Sequence, residues 1–263
     1  MRVFSEPRKL SLTLPTRRDA LAGVLGVCLV PRFSASTPGS QLLRLVATEF
    51  PPYTSASLEG DGSAAVITRA ALERVGLTMT LQFRPWARAL AELQNGQWDG
   101  IIGAWYQPDR EAYMAFPQPL GITNRIGFLA RAGTTLAVGD LSRLGGLKIG
   151  VVRDYANPPA FDRANLQRDE ALDDLSNLRK LLAGRVDLIL IDKGVAFHLL
   201  KTQVPEALQA VIWLEPALAE SPLYTALSKR DPALKSRLAA FNKGLTELQI
   251  SGDLARLLKR SVQ

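Results

Sequence analysis

Residues 103–120 read GAWYQPDREAYMAFPQPL, and Arg110 is the one cation there, amid aromatics, prolines and two acidic neighbours. A guanidinium can hold a carboxylate through two parallel hydrogen bonds. A carboxylate on a facing wall can accept from an ammonium, and aromatic planes can cover the carbon stem between the two. The chain offers these residue types at the ends of apolar, strand-like runs. Phe50 and Tyr53 follow LLRLVATEF, Trp105, Tyr106 and Arg110 follow WDGIIGA, Asp154 and Tyr155 follow LKIGVV, and Asp192 follows VDLILI. Facing one another across a cleft, they would form a clamp for a small zwitterion.

Other chemistries find less support. His198 is the single histidine, in the helix-like apolar context VAFHLLK, with no local nucleophile or orienting carboxylate, so a structural or surface role is expected. Cys28 is the single cysteine, which leaves neither disulfides nor a thiol nucleophile in a processed chain. The carboxylates lack a calcium-loop pattern, and thiolate spacing for zinc is absent, so no metal and no cofactor is expected. The glycines of GGLKIG precede a strand instead of opening a helix after one, which weakens a dinucleotide reading.

The elements that must position the clamp can be read from periodicity. SAAVITRAALERV, residues 63–75, spaces apolar residues as a helix and stops at Gly76, and TMTLQF alternates as a strand. WARALAELQNG is a helix that Pro85 can start, and WDGIIGA is a short buried strand. A similar order returns later: LKIGVV, a polar helix-compatible stretch, the helix DLSNLRKLLAGR, the strand VDLILI and the helix GVAFHLLKT. Such alternation implies two α/β lobes with largely parallel sheets and a ligand site at the strands' carboxyl ends. From Pro232 onward the chain reads as amphipathic helices broken near Ser251–Gly252. Turn-rich clusters near 131–140 and 215–222 are the expected crossings between lobes.

With 263 residues, 47% hydrophobic and 22% charged, the chain fits a globular protein. The formal charge is +7, but residues 1–36 carry Arg2, Arg8, Lys9, Arg17, Arg18 and Arg32 against Glu6 and Asp19, which leaves only +3 beyond them. That balance, without a basic stripe interleaved with aromatics, argues against a nucleic-acid partner. The same 36 residues read as an export signal: a basic stretch ending TRRDA, the apolar run LAGVLGVCLV, then Ser34, Ala35 and Ser36. Arg17 and Arg18 give it a twin-arginine look. The mature protein is therefore expected in the periplasm.

These residues resemble the extracellular solute-binding proteins of the polar-amino-acid type, family 3, which serve ATP-driven importers. The likeness is carried by ATEFPPYT, by LAELQNGQWDGIIGAWYQPDREAYMAFPQPL, by GLKIGVVRDY and by NLRKLLAGRVDLILIDKGVAF, and runs from about Leu43 to about Leu258. It implies a two-lobed, type II periplasmic-binding-protein-like fold with two crossover strands and hinge closure. The lobes implied are residues 41–128 with 220–263, and residues 129–219. It also implies that Arg110 grips the ligand's α-carboxylate, that Asp192 takes the α-amino group, and that Phe50 and Tyr53 stack on the ligand. Glu49, Trp105 and Tyr155 complete the ligand-binding set. The partners implied are an amino acid or small carboxylate and a membrane permease of an ABC importer, met by a monomer. Two alternatives stay open: a dehydratase-like enzyme on the same scaffold, in which a cleft carboxylate of raised pKa is the general acid, and a sensory solute-binding domain. Ile101 and Ala104 stand where amino-acid binders often have small hydroxyl residues, and Arg153-Asp154-Tyr155 replaces a common Gly-Thr pair.

Overall fold

A computed structural model describes residues 42–260; the expected export signal and Cys28 lie outside the described residues. The described chain opens with β1 (Leu42–Ala47), α1 (Ser63–Arg74), β2 (Thr78–Phe83), α2 (Trp86–Gln94) and β3 (Gly100–Trp105). A 3-10 turn over Pro108–Ala112 then carries Arg110, and the short β4 (Met114–Ala115) follows it. Next come β5 (Thr123–Arg131), β6 (Lys148–Val152), α3 (Pro159–Arg163), β7 (Gln167–Ala171), α4 (Asp174–Leu182), β8 (Leu188–Asp192) and α5 (Lys193–Gln203). The long β9 (Val211–Ser228) leads into α6 (Leu234–Ile250) and α7 (Asp253–Arg260).

The strands run in the order β2-β1-β3-β9-β5-β8-β6-β7, with β4 paired to β9. β1 is parallel to β2 and β3, and β6 is parallel to β7 and β8. These two parallel sets are joined through antiparallel β9 and β5. β9 pairs with β5 over residues 211–222 and with β3 over residues 223–227, so one strand serves both ends of the order. Helices cover both faces, which is why β1, β3 and β8 are nearly continuous apolar runs. On one face of β1, β3 and β9, Val46, Ile101, Ala104 and Ala226 pack against Ala89, Leu90 and Leu93 of α2. The larger core holds Leu43, Leu45, Ile102 and α1 together with β5, β6 and β8. Among the described residues no helix is long and apolar enough to cross a membrane.

Two expectations are corrected. Residues 215–222 are strand, not turn: β9 continues through them by a bulge in which residues 215–218 face only Gly127, between the pairs Ile126–Ala219 and Phe128–Leu214. Gly127 permits this because a Cβ there would meet the Trp213 ring at 2.7 Å. The polar stretch after LKIGVV is not simply helical, since it holds the strand β7 as well as the single turn of α3. Its sequence, QRDEA, lacks apolar alternation because β7 is a sheet edge, where charge is tolerated and discourages pairing with another chain. Lys148 bonds Asp169 at 2.8 Å and Arg153 bonds Glu170 at 2.8 Å across the β6–β7 pair.

Candidate functional site

Four strand ends converge on one aromatic cluster. Phe50 follows β1, Trp105 ends β3, Tyr155 follows β6, and Trp86 opens α2 after β2. Phe50 lies 5.4 Å from Tyr53, and Trp86 and Tyr155 meet edge to face at 5.9 Å. Phe50, Trp86, Trp105 and Tyr155 line a cavity of about 10 Å³ together with Thr48, Gly103, Ala156 and Arg110. Such a volume holds roughly one water. An amino-acid-sized molecule does not fit the cavity at this ring spacing.

Arg110 is 4% exposed, and among the ion pairs of the described residues none includes it. Its Nη1 donates to the Trp105 carbonyl at 3.2 Å and its Nη2 to the Asp154 carbonyl at 2.8 Å. Its guanidinium lies over the Trp86 ring, 5.3 Å from the centroid. Burial lowers its pKa, and Tyr113, Asp109 and Asp154 only partly offset that. Two carbonyls, the Tyr113 side chain and a ring face thus surround a cation that forms no ion pair with Asp109 or Glu111. Trp86 shares its acceptor: Nε1 donates to the same Asp154 carbonyl at 2.9 Å.

A second cavity of the same volume adjoins the first through Trp105 and Tyr155, and Asp174 and Asp192 line it. Asp192 ends β8 and caps α5, with Oδ1 accepting from the Val195 N–H at 2.9 Å and from the Tyr53 hydroxyl at 3.0 Å. Its Oδ2 accepts from the Arg125 N–H at 2.9 Å. Burial raises its pKa, against the lowering effect of those bonds. Gly194 makes room for the Tyr53–Asp192 bond, because a Cβ at that position would collide with the phenol oxygen. Asp174 has a different setting. Its neighbour Asp173 caps α4 by accepting from the Ser176 N–H at 2.7 Å, so Asp174 turns inward, 3% exposed, and accepts from the Tyr155 hydroxyl at 3.1 Å. Burial pushes its carboxyl up to about 7, with Asp192 and Asp173 adding repulsion. The Tyr53 and Tyr155 phenols are pushed up too, first by burial and then by Asp192 and Asp174 respectively.

The structure brings Arg110, Phe50, Trp105 and Tyr155 to the first cavity and Asp192 to the second, with Tyr53 bonded to Asp192. Glu49 lies apart: it is exposed and its Oε1 accepts from the Ala56 N–H at 3.1 Å, which holds the loop after β1. His198 sits on α5 and lines neither cavity. Trp86, Asp174 and Asn124 were not in the candidate set. Asn124, fully buried, accepts from Trp105 Nε1 at 2.7 Å. The available signal for Asp174 was the doubled aspartate at the start of a helix, where one carboxylate suffices as the cap. Among the described residues, no group of three or more His, Cys, Asp or Glu side chains is placed to hold a metal ion.

Parallel α/β sets joined by two antiparallel strands, with a closed cleft between strand ends, define a two-lobed periplasmic-binding-protein-like fold. Residues 43–263 match the bacterial extracellular solute-binding proteins, family 3, and the chain belongs to that family. It is 26% identical to the L-cystine-binding protein TcyJ of Escherichia coli strain K12 over 264 residues, covering 92% of this chain and 94% of the relative. In fold it is similar to a histidine kinase sensor domain resembling periplasmic binding proteins, with TM-score 0.75 and 20% identity over 84% of this chain and 96% of that one. It is also similar in fold to an ancestral arginine-binding protein bound to arginine, with TM-score 0.73 and 19% identity over 85% and 99% of the two chains.

Proposed function

We propose that the protein is a non-catalytic periplasmic receptor that binds a small carboxylate-bearing solute, an amino acid or a relative of one, and delivers it to the permease of an ABC importer. One observation carries this reading: Arg110 is buried at the cleft, and among the described residues no carboxylate forms an ion pair with it, Asp109 and Asp154 only partly offsetting its burial. An unpaired buried charge is costly, and a ligand carboxylate would supply two charge-assisted hydrogen bonds there. The amino-acid class draws support from the family and from the carboxylates in the adjoining cavity, which provide an acidic end opposite the cation. The lobes divide along β5 and β9, into residues 41–128 with 220–263 and residues 129–219; the split pairing of β9 supports this. They close by a hinge motion as the monomer binds its solute.

The test is a thermal-shift screen of the purified full-length chain against amino acids, small carboxylates and amines, because binding to the native state raises Tm by mass action. Hits are expected among carboxylates and should fail with Arg110→Lys, whose point charge cannot reproduce a bidentate grip. Hits confined to amines would refute the reading. A second reading is favoured by Asp174, whose carboxyl is held near neutrality beside a phenol: a dehydratase-like enzyme with Asp174 as general acid. Prolonged incubation of each hit, followed by product analysis, separates the two, since a receptor returns its ligand unchanged.

A further inference from the structure

The rings before Arg110 have a specific mutual arrangement. Phe50 and Trp105 are 5.8 Å apart at 78°, Phe50 and Tyr155 are 6.0 Å apart at 83°, and Trp105 and Tyr155 are 5.9 Å apart at 75°. Three near-perpendicular planes at equal separations are set like the walls of a box corner. All three line the Arg110 cavity, and Trp86 adds a fourth ring perpendicular to Tyr155. The remaining lining is Thr48, Gly103 and Ala156, with no carboxylate among them.

This arrangement discriminates among ammonium groups. A primary ammonium carries three N–H donors that need acceptors. Next to Arg110 it would meet ring faces and, among the lining side chains, the Thr48 hydroxyl as the one neutral non-aromatic acceptor. The nearby carboxylates line the adjoining cavity beyond Trp105 and Tyr155, where Asp174 accepts from the Tyr155 hydroxyl and Asp192 from the Tyr53 hydroxyl and two backbone N–H groups. A fully methylated ammonium has no donors to satisfy and is held by aromatic faces. Moreover, a phenol donating to a carboxylate gains ring electron density, so those bonds make the Tyr155 and Tyr53 faces better partners for a cation.

The seat for the ligand's anionic end is marked in the same cavity. Arg110 Nη2 and Trp86 Nε1 converge on the Asp154 carbonyl oxygen, a neutral stand-in for a carboxylate oxygen. Asp154 has φ of 61°, in the left-handed region that disfavours a residue with a side chain, so the turn that supplies this oxygen is held in a strained conformation. A ligand carboxylate would replace that oxygen and release the turn.

We infer that the solute is a betaine-type compound, a small carboxylate bearing a quaternary trimethylammonium group, with its anionic end on Arg110 and Trp86 and its methylated cation between Phe50, Trp105 and Tyr155. This inference rests on the receptor reading above and narrows its ligand class.

The decisive experiment is titration calorimetry of the full-length chain with glycine, N-methylglycine, N,N-dimethylglycine and N,N,N-trimethylglycine, and with alanine and lysine against their α-N-trimethyl forms. The uncharged carbon isostere tert-butylacetate completes the set. Affinity is expected to rise with each methyl group, by roughly 100-fold from the primary to the quaternary ammonium, with the isostere about 10-fold or more weaker than trimethylglycine. Phe50→Leu should weaken the trimethyl compounds about 10-fold more than it weakens the primary amino acids; the ligand series on the unaltered chain decides the matter if that variant folds poorly. Primary amino acids binding as tightly as their trimethyl forms, an equally tight isostere, or no binding by any trimethyl compound would overturn the inference. In each case the receptor reading stands if other carboxylates bind in an Arg110-dependent way, and falls with it if none does.

Discussion

The two adjoining cavities hold opposite charges under opposite constraints. Arg110 donates to two backbone carbonyls and lies over a ring face, with Tyr113, Asp109 and Asp154 adding weaker attraction, and its side-chain contacts cap no helix and pair no strand. Asp192, on the other side of Trp105 and Tyr155, is committed to the fold three times over: as cap of α5, as acceptor for Tyr53 and as acceptor for Arg125 on β5. Asp174, beside it, has a single phenol partner. The difference teaches that buried charges at a cleft are not one category. The cation's side chain bonds carbonyls without capping a helix, one carboxylate caps a helix and joins two further elements, and the other has one phenol partner.

Substitutions can break that contrast. Arg110→Met should cost about 2–5 kcal/mol of affinity for a carboxylate ligand while leaving the empty protein as stable as before or more so, because a buried charge with no ion partner is replaced by an apolar chain of similar length. Calorimetry and chemical denaturation on the same sample check both halves. A large stability loss would show that Arg110 is structural after all. Asp192→Ala should behave in the reverse way, losing about 2–4 kcal/mol of stability as the cap and two buried donors go unmet. Its measurement is a urea midpoint without ligand.

Asp174→Asn sharpens the middle case. The Asp174 carboxyl rises from 3.8 to about 7 in the folded protein, so the folded state holds this proton more tightly than the unfolded chain. The stabilisation is fully present below about pH 4 and is lost as pH climbs through about 7, amounting to roughly 2–3 kcal/mol between pH 5 and pH 8. Asp174→Asn should remove that component, and the variant should be more stable than the parent at pH 8. Denaturation midpoints at the two pH values decide it; equal pH slopes in parent and variant would contradict the assignment. The smallest effect is expected from Tyr53→Phe, about 1 kcal/mol for one hydrogen bond to Asp192, with the Val195 and Arg125 bonds retained.

Much of this architecture was legible in the chain. The alternation of apolar runs with helical periodicities foretold β1, α1, β2, α2 and β3, and the strand and helix pair that sets Asp192 at the end of β8, because buried parallel strands must be apolar throughout. β7 was not legible, since an edge strand of QRDEA carries no pattern that separates it from a polar loop. Residues 215–222 misled for a related reason: Pro216 and Pro222 signal a break, yet β9 absorbs them at a bulge and at its junction between partners. Arg110 could be picked out by its surroundings. Trp86 could not, because a tryptophan after a proline at a helix start has the same sequence whether it packs in a core or aims its N–H into a cleft.

The sequence by itself determined the family, the order of the elements and the residue types available at each strand end, since periodicity and local motif depend only on near neighbours along the chain. Only the tertiary structure decided which charges are spent on the fold. Whether Tyr53 reaches Asp192, and whether Arg110 meets a carboxylate or a carbonyl, depends on contacts spanning 139 and 44 positions respectively. Near-neighbour patterns carry no record of such pairings.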